Sequence, residues 1–346
     1  MPSERVQALR GFIVLLLVAF HAVGTSVDTA TDSAGADQLI FFTKLFSYVR
    51  MPVFAFIAGF VYAMKPVAAG AYGDFARRKF MRLFIPTVIA TTVTYVLLLF
   101  GSSGHGVTVP LREAWRIYVY PTYQFWFIQA LLLVFALTLL LEALRALSTF
   151  ARYALVFLAA ACLYLFLPDP ETSLFSLPQA EYLLPFFLLG LAANRFQSRV
   201  LTTPIVIASL VLLLGGISTQ ATTMLHDSSY KPDRSSLLCL AMGLSAGLCA
   251  IRWMPPLTLL RHLGTYSFVI YLYHYVFIHV FAHFCKMANY RGVVPLALLL
   301  TVVGVVGPIV FQRSFEWNQW VRKFVLGMRA TPPRAAQISG AVPDTV

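Results

Sequence analysis

The chain is poor in charge. Of its 346 residues only 12% are Asp, Glu, Lys or Arg, about half of the roughly 25% found in soluble domains. A water-soluble enzyme of this size could not cover its surface with so few charged groups, so that class is excluded. Long polar stretches are missing too, which excludes a disordered chain and leaves no room for a sizeable soluble domain. Cysteine is scarce. The four present (Cys162, Cys239, Cys249 and Cys285) lie in or beside apolar segments. Cys239 and Cys249 would stand ~15 Å apart along one helix, beyond the reach of a disulfide. With no CxxC and no Cys/His cluster, neither a disulfide scaffold nor a metal site is expected, and no permanently bound cofactor. Acidic residues number 14 against 26 basic ones, a net charge of +12. The basic residues fall in short segments between apolar runs, so they point to membrane topology and anionic headgroups, with no nucleic-acid partner.

Hydrophobic residues are what the sequence has in plenty, at 59%. Apolar stretches near 20 residues can cross a bilayer, and ten are present: 11–27, 46–64, 83–100, 123–141, 152–167, 180–194, 204–219, 235–251, 264–284 and 293–312. The fold class expected is all-α, a polytopic membrane protein of about ten transmembrane helices. The first could be read as a signal peptide with Arg5 and Arg10 before it. Nine further spans follow it and no clear small-x-small cleavage site does, so it is kept as a helix. With the N-terminus inside, cytoplasmic segments carry 18 Lys and Arg and outer loops 6, which places both termini in the cytoplasm. Loops 28–38 and 168–181 hold Asp28, Asp32, Asp37, Asp169, Glu171 and Glu181 with no basic residue, as outer loops can. Residues 1–324 then form the membrane domain. Residues 325–346, rich in Ala, Pro and Arg, form a cytoplasmic tail expected to be disordered.

Ionisable groups at bilayer depth are costly and mark function. His21 follows Arg10 by eleven residues, ~16 Å of helix rise and nearly a whole number of turns, so both point from one face. A rim cation above a mid-membrane imidazole suits an anionic donor that lowers a reactive arm into the membrane. A neutral histidine bonded to a neighbouring helix fits the spacing equally well. Arg77, Arg78, Lys79 and Arg82 open the third span. They serve either as positive-inside anchors or as a phosphate clamp of guanidinium forks, Arg78 and Arg82 sharing one face. Arg50, beside Pro52, reads as a cavity-facing group or as one snorkelling to the outer interface. In the ninth span Tyr271 and His274 can share a face. His279 and His283 have metal-ligand spacing but lack an HExxH glutamate. Trp126 suits an outer aromatic belt.

Taken together, these stretches resemble the acyltransferase-3 family of membrane acyltransferases, which includes bacterial O-acetyltransferases of cell-surface polysaccharides. The matching pieces are LRGFIVLLLVAFH, with Arg10 and His21; RMPVFAFIAGF, with Arg50 and Gly59; RRKFMRLFIP; QFWFIQALL; and LGTYSFVIYLYH, ending at His274. They occur in the family's order over about residues 5–320. The resemblance implies a ten-helix enzyme of the bacterial inner membrane. It would carry an acyl group, commonly acetyl, from cytosolic acyl-CoA to a sugar hydroxyl on a lipid-linked or exported glycan, such as exopolysaccharide. It carries the family's catalytic histidine to His21 and its donor-binding basic residues to Arg10, Arg77 and Arg78, with Arg82 beside them. Weaker matches, as acceptor-binding or supporting residues, are Trp126, His274 and Glu316, alongside Arg50 and Tyr271. Expected partners are membrane lipid, acyl-CoA, the glycan acceptor and glycan-export proteins. Two departures stand out. Many members have aspartate three residues before the first-helix arginine, where this chain has Gln7. Longer members carry an extracytoplasmic hydrolase-like domain for which this chain has no room.

The resulting expectation is that Arg10, Arg77, Arg78 and Arg82 hold the nucleotide phosphates. The pantetheine arm then brings the thioester to His21. That histidine either takes the proton of the acceptor hydroxyl, as an imidazole of ordinary pKa near 6.5 can, or is itself acylated first. A transporter or flippase for a small anion or a lipid-linked glycan is the rival from another class, since buried His and Arg also line substrate paths.

Overall fold

The structure, a computed structural model, describes residues 2–68, 70–100, 109–167, 173–227 and 230–329. Helices dominate it, and no strand occurs among the described residues beyond a single bridge between Asp32 and Gly292. In chain order they are α1 (Pro2–Thr29), α2 (Ala36–Leu45), α3 (Ser47–Met64), α4 (Tyr72–Lys79) and α5 (Ile85–Phe100). The short α6 (Arg116–Val119) precedes α7 (Trp126–Ala143), α8 (Phe150–Phe166), α9 (Leu177–Arg195) and another short helix, α10 (Gln197–Val200). The chain ends with α11 (Thr203–His226), α12 (Leu237–Trp253), α13 (Thr258–Thr265), α14 (Ser267–Met287) and α15 (Val293–Phe315).

Each of the ten apolar segments expected from sequence is helical, but their number as full spans needs correction. Among the described residues, eight helices are long and apolar enough to cross a membrane, and a ninth span forms if the bent pair α12 and α13 counts as one. The tenth candidate, α8, has 17 residues and rises only ~26 Å against a hydrocarbon core of ~30 Å. It presents a narrow buried stripe of Tyr153, Ala160 and Tyr164 to α9 and leaves its other faces outside the bundle. Two spans start ten or more residues earlier than expected. The second runs on from α2 through a turn at Phe46. The third begins at Tyr72, because α4 joins α5 through a π-helical turn at Phe80–Phe84.

Without a hydrophobic drive between helices in lipid, close backbone packing holds a membrane bundle together, and paired glycines provide it here. A Cβ on Gly11 would lie 1.9 Å from the Leu260 carbonyl oxygen, and one on Gly264 would lie 1.9 Å from that of Gln7. These reciprocal contacts clamp α1 to α13. The same arrangement locks α3 to α9, where Gly59 faces the Phe187 carbonyl and Gly190 that of Phe56, again at 1.9 Å. On the other side of α3, Gly243 and Gly247 of α12 receive Pro52 and the Phe56 ring. Helix α1 runs through the interior against α3, α13, α14 and α15. Beyond α15 a π turn at Val321–Val325 leads into a packed strap. Val325 and Leu326 are buried, Tyr273 donates to the Val325 carbonyl at 3.1 Å, and Gly327 takes a left-handed φ of 62°. The boundary at 325 thus falls inside packed chain, and 330–346, the rest of the expected tail, lies outside the described residues, as do Asp169 and Glu171.

Candidate functional site

The Gly11–Gly264 clamp sets the register between α1 and α14, which follows α13 after a turn at Tyr266. His21 and His274 each lie ten residues beyond their glycine, and the clamp brings them together. Their ring centroids are 5.1 Å apart with the planes tilted by 48°. His274 is fully buried, and its Nδ1 lies 2.8 Å from the Ile270 carbonyl and 3.0 Å from that of Tyr271. Both oxygens can only accept, so Nδ1 carries the hydrogen and the neutral ring keeps its lone pair on Nε2. That Nε2 is buried with no hydrogen-bond partner. His21, only partly buried, has Tyr275 at 5.7 Å edge-on, and His274, Arg50 and His279 are its titratable neighbours. Tyr275 in turn meets His279 at 3.9 Å and Tyr123 at 5.8 Å.

Arg50 belongs to this centre. Its guanidinium sits 3.8 Å over the Phe20 ring, next in sequence to His21. The side chain is only 8% exposed, and one of its guanidinium nitrogens has no hydrogen-bond partner. A buried unsatisfied donor in a cationic group costs on the order of a few kcal/mol, which marks the place as a site and speaks against snorkelling. Trp126 stands at the start of α7 with the Arg234 guanidinium 5.6 Å over its ring. Tyr271 is buried and donates its hydroxyl to the Gln124 backbone carbonyl, tying α14 to the loop before α7. Two residues of this neighbourhood escaped the sequence reading. Gln124 is 4% exposed with neither end of its amide hydrogen-bonded. From sequence Arg234 is only one of the six Lys and Arg expected in outer loops. Gln124 opens the QFWFIQALL piece, so its place in that motif was the available clue.

The basic residues gather at the opposite end of α1. Arg77 and Arg78 are exposed on α4, while Lys79 turns inward with its Nζ 4.2 Å over the Phe135 ring. Lys79 feels the charges of both Arg82 and Arg10, so it joins Arg10 to the cluster, a link the sequence did not give. Arg82 donates from Nε to the Gly327 carbonyl at 3.2 Å, which binds the π turn to the C-terminal strap. Glu316 also lies at this end. It accepts from Gln312 at 3.3 Å, close to where Arg313 bonds Tyr266 at 3.1 Å. It is therefore at the Arg10 end of α1, apart from Arg50, Trp126 and His274, with which the sequence reading had grouped it. Gln7, in the place of the family's aspartate, lends its backbone to the glycine clamp, and its side-chain oxygen is buried without a partner. Nearby, Glu4 pairs with Arg261 at 3.2 Å. No group of three or more metal-ligating side chains occurs among the described residues.

The molecule thus presents a cationic end, a pair of imidazoles (His274 fully and His21 partly buried) about two turns short of the far end of α1, and a second cationic and aromatic cluster beyond them. Searches of curated proteins and of solved structures returned no match. A family model described as an acyltransferase domain matches residues 4–313, nearly the whole helical bundle and every residue of the imidazole centre. The chain belongs to the acyltransferase-3 family and is a multi-pass membrane acyltransferase.

Proposed function

We propose that this acyltransferase moves an acetyl group from cytosolic acetyl-CoA to a hydroxyl of an exported glycan or its lipid-linked precursor in the bacterial inner membrane. The observation that carries the reading is the contact of His21 with His274 between two clusters of opposite location and like charge. With both termini in the cytosol, the Arg10 end faces acyl-CoA. Arg77 and Arg78, exposed and adjacent, receive the nucleotide phosphates, and Arg10 and Lys79 draw the donor toward α1. Arg82 stiffens that rim through Gly327. The pantetheine arm follows α1 to His21, and the acceptor arrives from the Arg50 and Trp126 side.

The acceptor oxygen attacks the thioester carbonyl. A C–O bond forms, the C–S bond breaks, and the hydroxyl proton passes to a His21 ring nitrogen and then to the departing thiolate. His274, with its Nδ1 hydrogen fixed by two carbonyls, offers its Nε2 lone pair to steady the His21 imidazole as it takes up that proton. Holding both reactants in this geometry supplies much of the rate. A transporter is less well served: the bent pair α12 and α13, at 118°, is single among the described residues, whereas transporters break helices in corresponding pairs.

The test is transfer of label from radioactive acetyl-CoA into glycan, using membranes with equal amounts of wild type or His21→Ala. Label reaching glycan only with wild type supports the assignment. Equal labelling by both removes His21 from the chemistry, and no labelling by folded wild type rejects the reaction.

A further inference from the structure

Four glutamines are buried among the described residues, and three of them use their amide nitrogens. Gln129 donates to the Tyr118 carbonyl at 2.9 Å and accepts from Ser176 at 2.6 Å. Gln220 donates to the Lys44 carbonyl, and Gln312 to Glu316. Gln124 is 4% exposed, yet neither its Nε2 nor its Oε1 is hydrogen-bonded. A buried amide in that state costs stability, and a methionine of similar size would avoid the cost. The residue before it is costly as well. Tyr123 holds a left-handed φ of 48°, a conformation that residues with a Cβ seldom adopt. Backbone strain beside an unmet buried polar group is the combination that functional sites retain.

Contacts on α14 put this amide beside the imidazole centre. The Gln124 backbone carbonyl accepts from the Tyr271 hydroxyl, and the Tyr123 ring lies 5.8 Å from that of Tyr275. Tyr271 and Tyr275 bracket His274 on α14, and Tyr275 also touches the His21 ring, at 5.7 Å. Residues 123 and 124 therefore cross α14 at the level where the two histidines meet. Phe127 holds the crossing from the other side, with its ring 5.8 Å from both Tyr271 and Phe54 of α3. Helix α7 begins two residues after Gln124, and the positive end of its dipole favours negative charge there. We propose that the Gln124 side-chain amide is a catalytic hydrogen-bond donor to the thioester carbonyl oxygen. As the acceptor oxygen adds to the carbonyl carbon, the π pair moves onto the carbonyl oxygen, and the Nε2–H of Gln124 stabilises that charge. When the intermediate collapses, the double bond returns, the C–S bond breaks, and the thiolate takes the proton held by His21. Oε1 finds its partner in the same substrate, since the pantetheine arm carries amide N–H groups. The inference rests on the thioester reaction proposed above and adds the donor for its transition state, a part that neither histidine plays.

The experiment compares full-length wild type, Gln124→Met and Gln124→Asn in membranes normalised for inserted protein. It follows CoA release from acetyl-CoA, with lipid-linked oligosaccharide extracted from the producing cells as the titrated acceptor, beside a thermal melt of each purified protein. Gln124→Met should lose about 100-fold in kcat, as removal of one such donor does. Both KM values should change less than about threefold, and the pH profile of kcat should not shift. The melting temperature should not fall, because the unmet polar groups leave with the amide. Gln124→Asn keeps a shortened amide and should retain more activity than Gln124→Met. A kcat within about threefold of wild type, or a loss that follows a lower melting temperature in both variants, overturns the proposal. So does a raised acceptor KM with kcat kept, which would assign the amide to acceptor binding. A shifted pH profile overturns it too, since the amide would then act through the imidazoles. Wild type that releases no CoA rejects the reaction proposed above and this role with it, whereas active wild type with unchanged variants rejects the Gln124 role alone.

Discussion

Gly264→Ala should damage catalysis far more than it damages folding. The new methyl would stand 1.9 Å from the Gln7 carbonyl oxygen and 2.7 Å from its carbon, whereas real Cβ contacts do not come below 3.0 Å. The obstacle is backbone on a neighbouring helix, so no side-chain rotation relieves it. Helices α1 and α13 must part by at least 1.1 Å, the difference between 3.0 and 1.9 Å. Overpacking of this kind costs about 1–3 kcal/mol, which an interface of this extent survives. Catalysis is less forgiving. The clamp holds His21 and His274 at a centroid distance of 5.1 Å, and a displacement of about 1 Å at a reacting centre costs on the order of 100-fold in rate. The assay is initial-rate transfer from labelled acetyl-CoA in membranes normalised for inserted protein, beside a thermal melt of the purified variant. Gly11→Ala, whose methyl meets the Leu260 carbonyl at 1.9 Å, should behave alike. The double variant should fall short of the sum, since one separation relieves both clashes. Gly215→Ala, with nothing within 4 Å, is the silent control. A Gly264→Ala enzyme within about threefold of wild type, under 1 kcal/mol of barrier, would refute the claim that this clamp sets the imidazole geometry.

Other consequences are open to measurement. Replacing Arg77 and Arg78 together by alanine should weaken acyl-CoA binding by about tenfold or more at low ionic strength and less at high salt; unchanged affinity would remove them from the donor site. Lys79→Ala should also reduce acyl-CoA affinity, and Lys79→Arg should restore it in part, because the position supplies inward charge beside Arg10. Arg195 bonds Glu142 at 2.6 Å and the Leu147 carbonyl at 3.1 Å, with both charged side chains mostly buried. Arg195→Ala should therefore lower stability by about 1.5–3 kcal/mol, seen as a lower melting temperature, and Glu142→Gln should lose less once Arg195 is gone.

Hydropathy made the helices legible, since a stretch of 17 or more apolar residues has few other fates. Charge spacing told less. Arg10 and His21 share a face by helical arithmetic, yet nothing in that arithmetic says which side chain His21 meets. The span count shows the same limit: α8 has the composition of a membrane helix, but 17 residues fall at the edge of what a bilayer requires, and α12 is long enough for a span only together with α13, from which it is bent by 118°. Lys79 is hidden in a cluster of four cations, because only the orientation of α4 and its π turn decides which of them faces inward.

The sequence by itself determined the class of molecule, the helices and the order of the motif pieces, because burial in lipid follows from composition and period. Tertiary structure alone decided the partners. It set His274 beside His21 and Arg234 over Trp126, pairs that lie roughly 250 and 110 residues apart in the chain. It also put Glu316 at the far end from them. The physical reason is that such pairs depend on how close two backbones approach. That distance is fixed by glycines facing carbonyls on other helices, contacts that exist only once the bundle has formed.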